Sequence, residues 1–212
     1  MNWRAFRLLW VGGLLVSLPL AAAELQPIAL PEPQTHGGGP LMQVFKDRQT
    51  IREFSTNALP TQILGNLLWA GCGTNRVDGH RTVPSAMNSQ EIDIYVALSK
   101  GTYCYEATGH RLLPVAGGDI RAKTGGQPFV KVAPVALIFV ADLARLEKAK
   151  PDERERYATI DTGYISQNIY LYCASEHLAT VVHELDRREL QALLGLKPTQ
   201  KIILAQSVGY PR

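Results

Sequence analysis

Residues 81–96 read RTVPSAMNSQEIDIYV, and the stretch changes character at its midpoint. From Glu91 to Val96 polar and apolar side chains alternate, which is the pattern of a half-buried strand over 91–98. The seven residues before it, Pro84 to Gln90, are small and amide-rich and predict a turn. Lys100-Gly101 predicts a tight turn after the strand, and Thr102–Glu106 pairs back as a hairpin. Leu112–Val115 suggests a further short strand. Residues 133–140, APVALIFV, are almost continuously apolar, as expected for a central strand buried on both faces. Lys201–Val208 reads as the final strand. Between the strands lie helical stretches. Leu41–Lys46 predicts a short helix. Thr61 is read as the cap of another, with Ile63, Leu64, Leu67 and Leu68 on one face and Gly71-Cys72-Gly73 ending it. Gly117 to Gly126 surrounds a short helix. Residues 151–180 read as one long helix or two, charged at first and mostly apolar from Ile160 to Leu178. Asp186 caps a last helix with Leu190, Leu193 and Leu194 facing inward, and Gly195 stops it. The strands and helices mix without a regular βαβ alternation, so the fold class is α+β.

The chain has 212 residues, 46% hydrophobic and 19% charged, which suits one domain with a sizeable core. Its net charge of +3 includes Arg4 and Arg7 and is too small to suggest nucleic acid. Those arginines open a leader. Residues 8–20, LLWVGGLLVSLPL, are apolar, and Ala21-Ala22-Ala23 follows. This is the layout of a secretory signal peptide spanning 1–23, which makes the chain an exported, periplasmic protein. The other reading is an uncleaved membrane anchor, although the apolar run is shorter than the roughly 20 residues a span needs. Residues 24–40 are rich in proline and glycine and predict an extended, poorly packed lead-in, with the folded domain over 41–212. Cys72, Cys104 and Cys173 match no metal-site spacing. They are buried free thiols, or two of them pair. His36, His80, His110, His177 and His183 include no pair at helical ligand spacing, so no metal site is expected. There is neither a GxGxxG after a strand nor a GxxxxGK[ST], so no phosphate loop of either kind is indicated.

Three segments carry candidate chemistry. Arg48-Gln49-Thr50-Ile51-Arg52 places two arginines four apart beside a hydroxyl, and guanidinium groups match phosphate oxygens bidentately. A solvated basic turn is the alternative. Ser85, Ala86 and Asn88 offer small side chains and polar partners to a flat ring that approaches the backbone. A plain strand-leading loop is the alternative there. In the third segment, Asp161 to Leu171, Gln167 and Asn168 lie among apolar residues, where buried amides need partners. They brace the core or a facing subunit, or contact a ligand.

Taken together, the segments resemble the nitroreductase family of flavin-dependent oxidoreductases. Arg48, Thr50, Arg52 and Phe54 follow its R-x-S/T-x-R/K-x-F pattern. Pro84, Ser85, Asn88 and Gln90 follow P-S-x-x-N-x-Q. Asp161, Gly163, Gln167 and Asn168 follow D-x-G-x-x-x-Q-N, and Val208, Gly209 and Pro211 follow V-G-x-P. The four occur in order across 41–212. The chain leans towards the branch of thiazole- and oxazole-forming peptide oxidases, although it carries N-S-Q where that branch often has G-A-L-Y-P.

The resemblance implies a central, mostly antiparallel sheet flanked by helices, in a homodimer with FMN at the subunit interface. Arg48, Gln49, Thr50 and Arg52 would hold the FMN phosphate, ribityl chain and ring edge. Pro84, Ser85, Ala86 and Asn88 would contact the same flavin from the partner subunit. Backbone groups of Val182, His183 and Glu184 would lie beside the ring, and Arg212 would add a phosphate contact. His183 beside the ring could also donate a proton to product, or it is a surface or packing histidine. The implied activity is ping-pong electron transfer from NAD(P)H or another donor to a small organic acceptor such as a nitroaromatic, a quinone or an enone. No acid, base or nucleophile of the chain is required, and none is assigned. The pattern departs at residues 176–184, where relatives usually carry a G-L-x-x-x-P-x-G turn and this chain has neither the glycines nor the proline. A flavin- or partner-binding module without turnover is therefore a second reading, and an azoline-peptide oxidase is a third.

Overall fold

The computed structural model describes residues 25–212, so the leader read at 1–23 lies outside the described residues. Seven strands form one sheet: β1 (Ile28–Ala29), β2 (Ile92–Leu98), β3 (Gly101–Glu106), β4 (Arg111–Gly117), β5 (Val135–Asp142), β6 (Ala179–His183) and β7 (Gln200–Gly209). Their order is β1-β4-β3-β2-β5-β7-β6, and every neighbouring pair is antiparallel. Four α-helices accompany them: α1 (Leu41–Asp47), α2 (Thr61–Cys72), α3 (Arg154–Ser175) and α4 (Arg187–Leu193).

The apolar run of β5 is explained by burial on both faces. Val135, Leu137 and Phe139 pack with Ile92, Ile94 and Val96 of β2 against Leu64, Leu67 and Leu68 of α2 and Ile165 and Ile169 of α3. Ala136, Ile138 and Val140 point the other way, to Leu190 and Leu194 at α4. Period-2 alternation thus feeds two cores from one strand. Asp186 caps α4 by accepting the Arg188 N–H at 3.0 Å. Leu193 is not turned inward as expected but is 37% exposed. Thr61 makes no cap, because Pro60 occupies the N-cap position and no side chain bonds there. The glycine-rich stretch Gly117 to Gly126 surrounds one short 3-10 helix, Arg121–Lys123, and a second, Pro128–Lys131, follows it.

Two expectations are revised. The segment 25–40 is extended and mostly exposed, as expected, but its first half is packed. Ile28 and Ala29 pair with Leu112 and Arg111, Leu30 is buried, and the Gln34 N–H donates to Asn66 Oδ1 at 3.0 Å. Leu25 packs on Gly101, where a Cβ would also lie 2.9 Å from the backbone oxygen of Ala116, so the position requires glycine. Second, α3 stops at Ser175, and the following residues form edge strand β6. The reversal uses His177 at φ +54, with the Leu178 N–H returning to Cys173 O at 2.8 Å. That is a helix stop in which a left-handed residue normally is glycine, here made by histidine at a cost of about 1 kcal/mol. The three cysteines are free thiols. No helix among the described residues is long and apolar enough to cross a membrane.

Candidate functional site

The segment after α1 runs along the outer edge of β6. The Ile51 N–H donates to Thr180 O at 3.1 Å, and the Ser55 N–H to Tyr210 O at 2.9 Å. Phe54 bridges to Pro211, and the Arg212 N–H reaches Glu53 O at 3.3 Å. Arg48, Gln49, Thr50, Arg52, Val182 and Arg212, distant in sequence, are therefore gathered along one strip.

One phenol organises that strip. Tyr170 of α3 is 8% exposed, and its oxygen accepts the Val182 N–H at 3.0 Å. It also shares a hydrogen bond with Thr50 Oγ1, 3.2 Å away, in which either hydroxyl can be the donor. The Arg48 guanidinium lies over the Tyr170 ring at 5.6 Å from its centroid, within cation–π range. The ion pairs among the described residues involve none of Arg48, Arg52, Arg212 or the neighbouring Lys46. A strip of positive charge without acidic partners can receive an anion. A cleft of about 470 Å³ adjoins it, lined by Lys46, Asp47, Gln49, Ile51, Tyr170 and Thr180 among others, while Arg48, Thr50, Arg52 and Arg212 lie outside its lining. Sequence reading had assigned no role to Tyr170. The available signal was a phenol in an apolar helix, whose hydroxyl has to find a partner once buried.

His183 turns inward and is 6% exposed. Its Nδ1 faces Glu184 O at 3.3 Å and so carries the proton, and Nε2 then accepts from Ser207 Oγ at 3.0 Å. Its ring also meets Phe129 edge-on, with centroids 5.5 Å apart. Burial pushes its pKa down and keeps the ring neutral. The packing role is the one the structure shows, and a side-chain proton donor to a bound ring is ruled out by this orientation. A buried polar chain fixes the strands behind it. Ser166 Oγ donates to Gln206 Oε1 at 2.9 Å, Gln206 Nε2 donates to Thr180 Oγ1 at 2.9 Å, and Thr180 Oγ1 donates to Ser207 O at 2.9 Å.

The second candidate set lies elsewhere. The turn 84–90 is anchored on α3 by the Ala86 N–H, which donates to Asp161 Oδ2 at 2.7 Å. Ser85 Oγ accepts the Gln90 N–H at 3.0 Å, and Gln90 Nε2 donates to Gly79 O at 3.0 Å. Met87, Asn88 and Gln90 sit at φ 55, 54 and 49, a left-handed cluster without a glycine. Such strain persists only where neighbours hold it, and it concentrates at ligand sites. Pro84, Met87 and Asn88 are exposed. Asp161 and Tyr170 are nine residues apart on one helix, about 13 Å along its axis, so a single chain does not bring the two sets together. Asn168 donates to Ala70 O at 3.0 Å and braces α2, whereas Gln167 is exposed and not the buried amide expected.

The nitroreductase family model matches residues 45–210. A Methanocaldococcus jannaschii protein provisionally named a nitroreductase is 29% identical over 168 residues, covering 74% of this chain and 85% of that one. A crystal structure of a provisionally named nitroreductase from Ralstonia eutropha JMP134 is 40% identical with a TM-score of 0.84, covering 88% of this chain and 90% of that one. Another such structure, from Anabaena variabilis, shares the fold at TM-score 0.75 and 18% identity, and this chain spans 45% of its length.

Proposed function

The chain belongs to the nitroreductase family and is an oxidoreductase, and on that premise we propose that it binds FMN between two copies of itself and reduces a small organic acceptor. The observation that carries the proposal is the strip organised by Tyr170, in which Arg48, Arg52 and Arg212 lack acidic partners and the Thr50 hydroxyl is exposed. That donor set fits a phosphorylated, hydroxyl-bearing tail. Arg48 and Arg212 would hold the phosphate, Thr50 and Gln49 the ribityl oxygens, and Arg52 the electron-rich edge of the ring, where positive charge favours the reduced form. When bound, FMN supplies the redox chemistry, taking a hydride from a donor and passing electrons to an acceptor that follows it into the same pocket.

The dimer accounts for the two separated candidate sets. On α3, Ile160 and Tyr164 are 42% and 47% exposed, and Gln167 and Leu171 continue the same helical stripe. On α1, which packs against α3, Leu41, Met42 and Phe45 are also exposed. An apolar face of this extent is a candidate protein interface. It flanks Asp161, which carries the 84–90 turn, so a copy docked there would present Pro84, Ser85, Ala86 and Asn88 to its partner's arginine strip. The altered 176–184 turn does not count against this geometry, since His177 holds the left-handed backbone and the Val182 N–H is fixed in place.

The leader at 1–23 makes export, or anchoring, part of the proposal, and outside the cytoplasm a donor other than NAD(P)H is expected. The test is turnover. Protein loaded with FMN should be bleached by NADH or dithionite and recover its colour on addition of a nitroaromatic or a quinone. Bleaching without reoxidation by either acceptor would favour a flavin-binding module. Reoxidation coupled only to an azoline-containing peptide would place the chain with the peptide oxidases.

A further inference from the structure

Beneath the 84–90 turn lies a pair of buried carboxyl groups that the redox reading leaves unused. Glu91 is 0% exposed, and no donor from another residue reaches either of its carboxyl oxygens, its own backbone N–H being the one donor that partly offsets the burial. The Asp161 carboxyl of α3 lines the same small space and is itself 4% exposed. That space, of about 10 Å³, is also lined by Cys72, Arg81, Ser85 and Gln90. That is room for about one water molecule.

Two arginines lie around the pair. Arg145, from the loop after β5, grips Asp93 with two bonds of 2.8 Å and donates to Gln90 O at 3.1 Å. Arg81, from the loop after α2, donates to Cys72 Sγ at 3.0 Å. Burial pushes the Cys72 thiol up and keeps it uncharged. The Arg81 guanidinium bonds only to this neutral thiol and to Ile92 O, so one positive charge faces two carboxyl groups, enough for one ionised carboxylate and not for two. Two ionised carboxylates offer only acceptors to one another, and in a desolvated site they cannot both stay charged. With one proton between them they form a charge-assisted O–H···O bond, among the stronger kinds.

We propose that Glu91 and Asp161 share a single proton, and that this shared proton fastens the 84–90 turn to α3. Glu91 donates to Asp161, and Asp161 accepts the Ala86 N–H at the tip of the turn. The three left-handed residues of the turn are what the fastener holds in place. Both residues act through the turn and are positioning residues. The pair also makes the turn sensitive to pH. Burial, reinforced by Asp161, pushes the Glu91 pKa up to about 7, against about 4.3 in an unfolded chain. The folded state holds the extra proton between those values. The stabilisation is therefore complete below the lower value and is lost as pH rises through the upper one. Where the turn lines a flavin, as the proposed function has it, cofactor retention falls over the same range. That consequence rests on the flavin reading, whereas the shared proton does not.

The experiment is a pH titration of the folded full-length protein from about pH 5 to about pH 9, followed by the infrared carbonyl band of protonated carboxylic acid and by thermal unfolding. Wild-type protein should show a band that bleaches near neutral pH and is absent in Glu91→Gln. The melting temperature should fall across the range relative to Glu91→Gln, whose amide donates to Asp161 at every pH. In Asp161→Asn the amide can donate to an ionised Glu91, so the Glu91 midpoint should drop by about one pH unit or more, a tenfold change in proton affinity. An ordinary carboxylate midpoint for Glu91, a midpoint unmoved in Asp161→Asn, or a Glu91→Gln melting profile parallel to wild type would each overturn the shared proton. Retention of added FMN is read in parallel. A proton that titrates as described, with FMN retention independent of pH, would leave the fastener standing and remove the flavin from the turn.

Discussion

Replacing Tyr170 by Phe deletes one oxygen and leaves the ring that Arg48 covers. That oxygen accepts the part-buried Val182 N–H at 3.0 Å and bonds Thr50 Oγ1 at 3.2 Å. Leaving the N–H unpaired costs about 1–3 kcal/mol, while the exposed Thr50 can turn to water and loses about 0.5–1.5 kcal/mol or less. A net loss of about 2 kcal/mol corresponds to a drop of about 4–8 °C in melting temperature for a chain of this size. The ring contact survives, so the fall in FMN affinity should be modest. Loss of one oriented hydroxyl, about 1 kcal/mol, gives roughly fivefold. Thr50→Val should weaken FMN to a similar degree, and the two changes together should cost less than their sum, because they break one bond between them. Thermal unfolding and fluorescence titration with FMN read both quantities. A Tyr170→Phe protein with wild-type melting temperature and wild-type FMN affinity would show that the phenol organises nothing.

Arg48→Ala and Arg52→Ala should each weaken FMN retention after dialysis by about 10- to 100-fold, the scale of a lost charge-assisted contact of about 1.5–3 kcal/mol, and full occupancy in both would refute the phosphate assignment. Burial lowers the His183 pKa, so its neutral form contributes fully above an unfolded value of about 6.5, and that contribution fades as pH falls below it. Stability measured from neutral pH downward should decline by this route, with a smaller slope in His183→Gln, and identical slopes would contradict it. Tyr164→Glu on the exposed stripe of α3 should shift sedimentation from dimer to monomer while leaving the circular-dichroism spectrum unchanged, and a persistent dimer would place the interface elsewhere.

What was legible in the sequence follows from how local each signal is. The position of β2, the continuous apolar run of β5 and the Asp186 cap of α4 are written in consecutive side chains, although β2 is buried on both faces and not half-buried as its alternation suggests. β6 was not legible, because His177 adopts the backbone conformation that a sequence reader expects from glycine. Nor was β1, since two residues of a proline-rich segment suffice once β4 offers an edge. α3 was recognised as a helix, but its exposed stripe was not. Ile160, Tyr164 and Leu171 have core-like composition, and helical spacing alone does not say which stripe meets solvent. At the site, the arginine strip and the 84–90 turn were visible as residue patterns. Asp161 was visible as part of a motif and Tyr170 as a phenol in an apolar helix, but their partners, Ala86, Thr50 and Val182, are set by the fold and no local pattern names them.

The central claim is that two copies of the chain enclose a flavin between an arginine strip on one and the 84–90 turn on the other. Sedimentation of the purified protein after incubation with FMN, recorded at both the protein and the flavin absorbance, tests it most directly. The account predicts flavin absorbance moving with a dimer-sized boundary at about one flavin per chain. A monomer boundary that carries no flavin absorbance would contradict it.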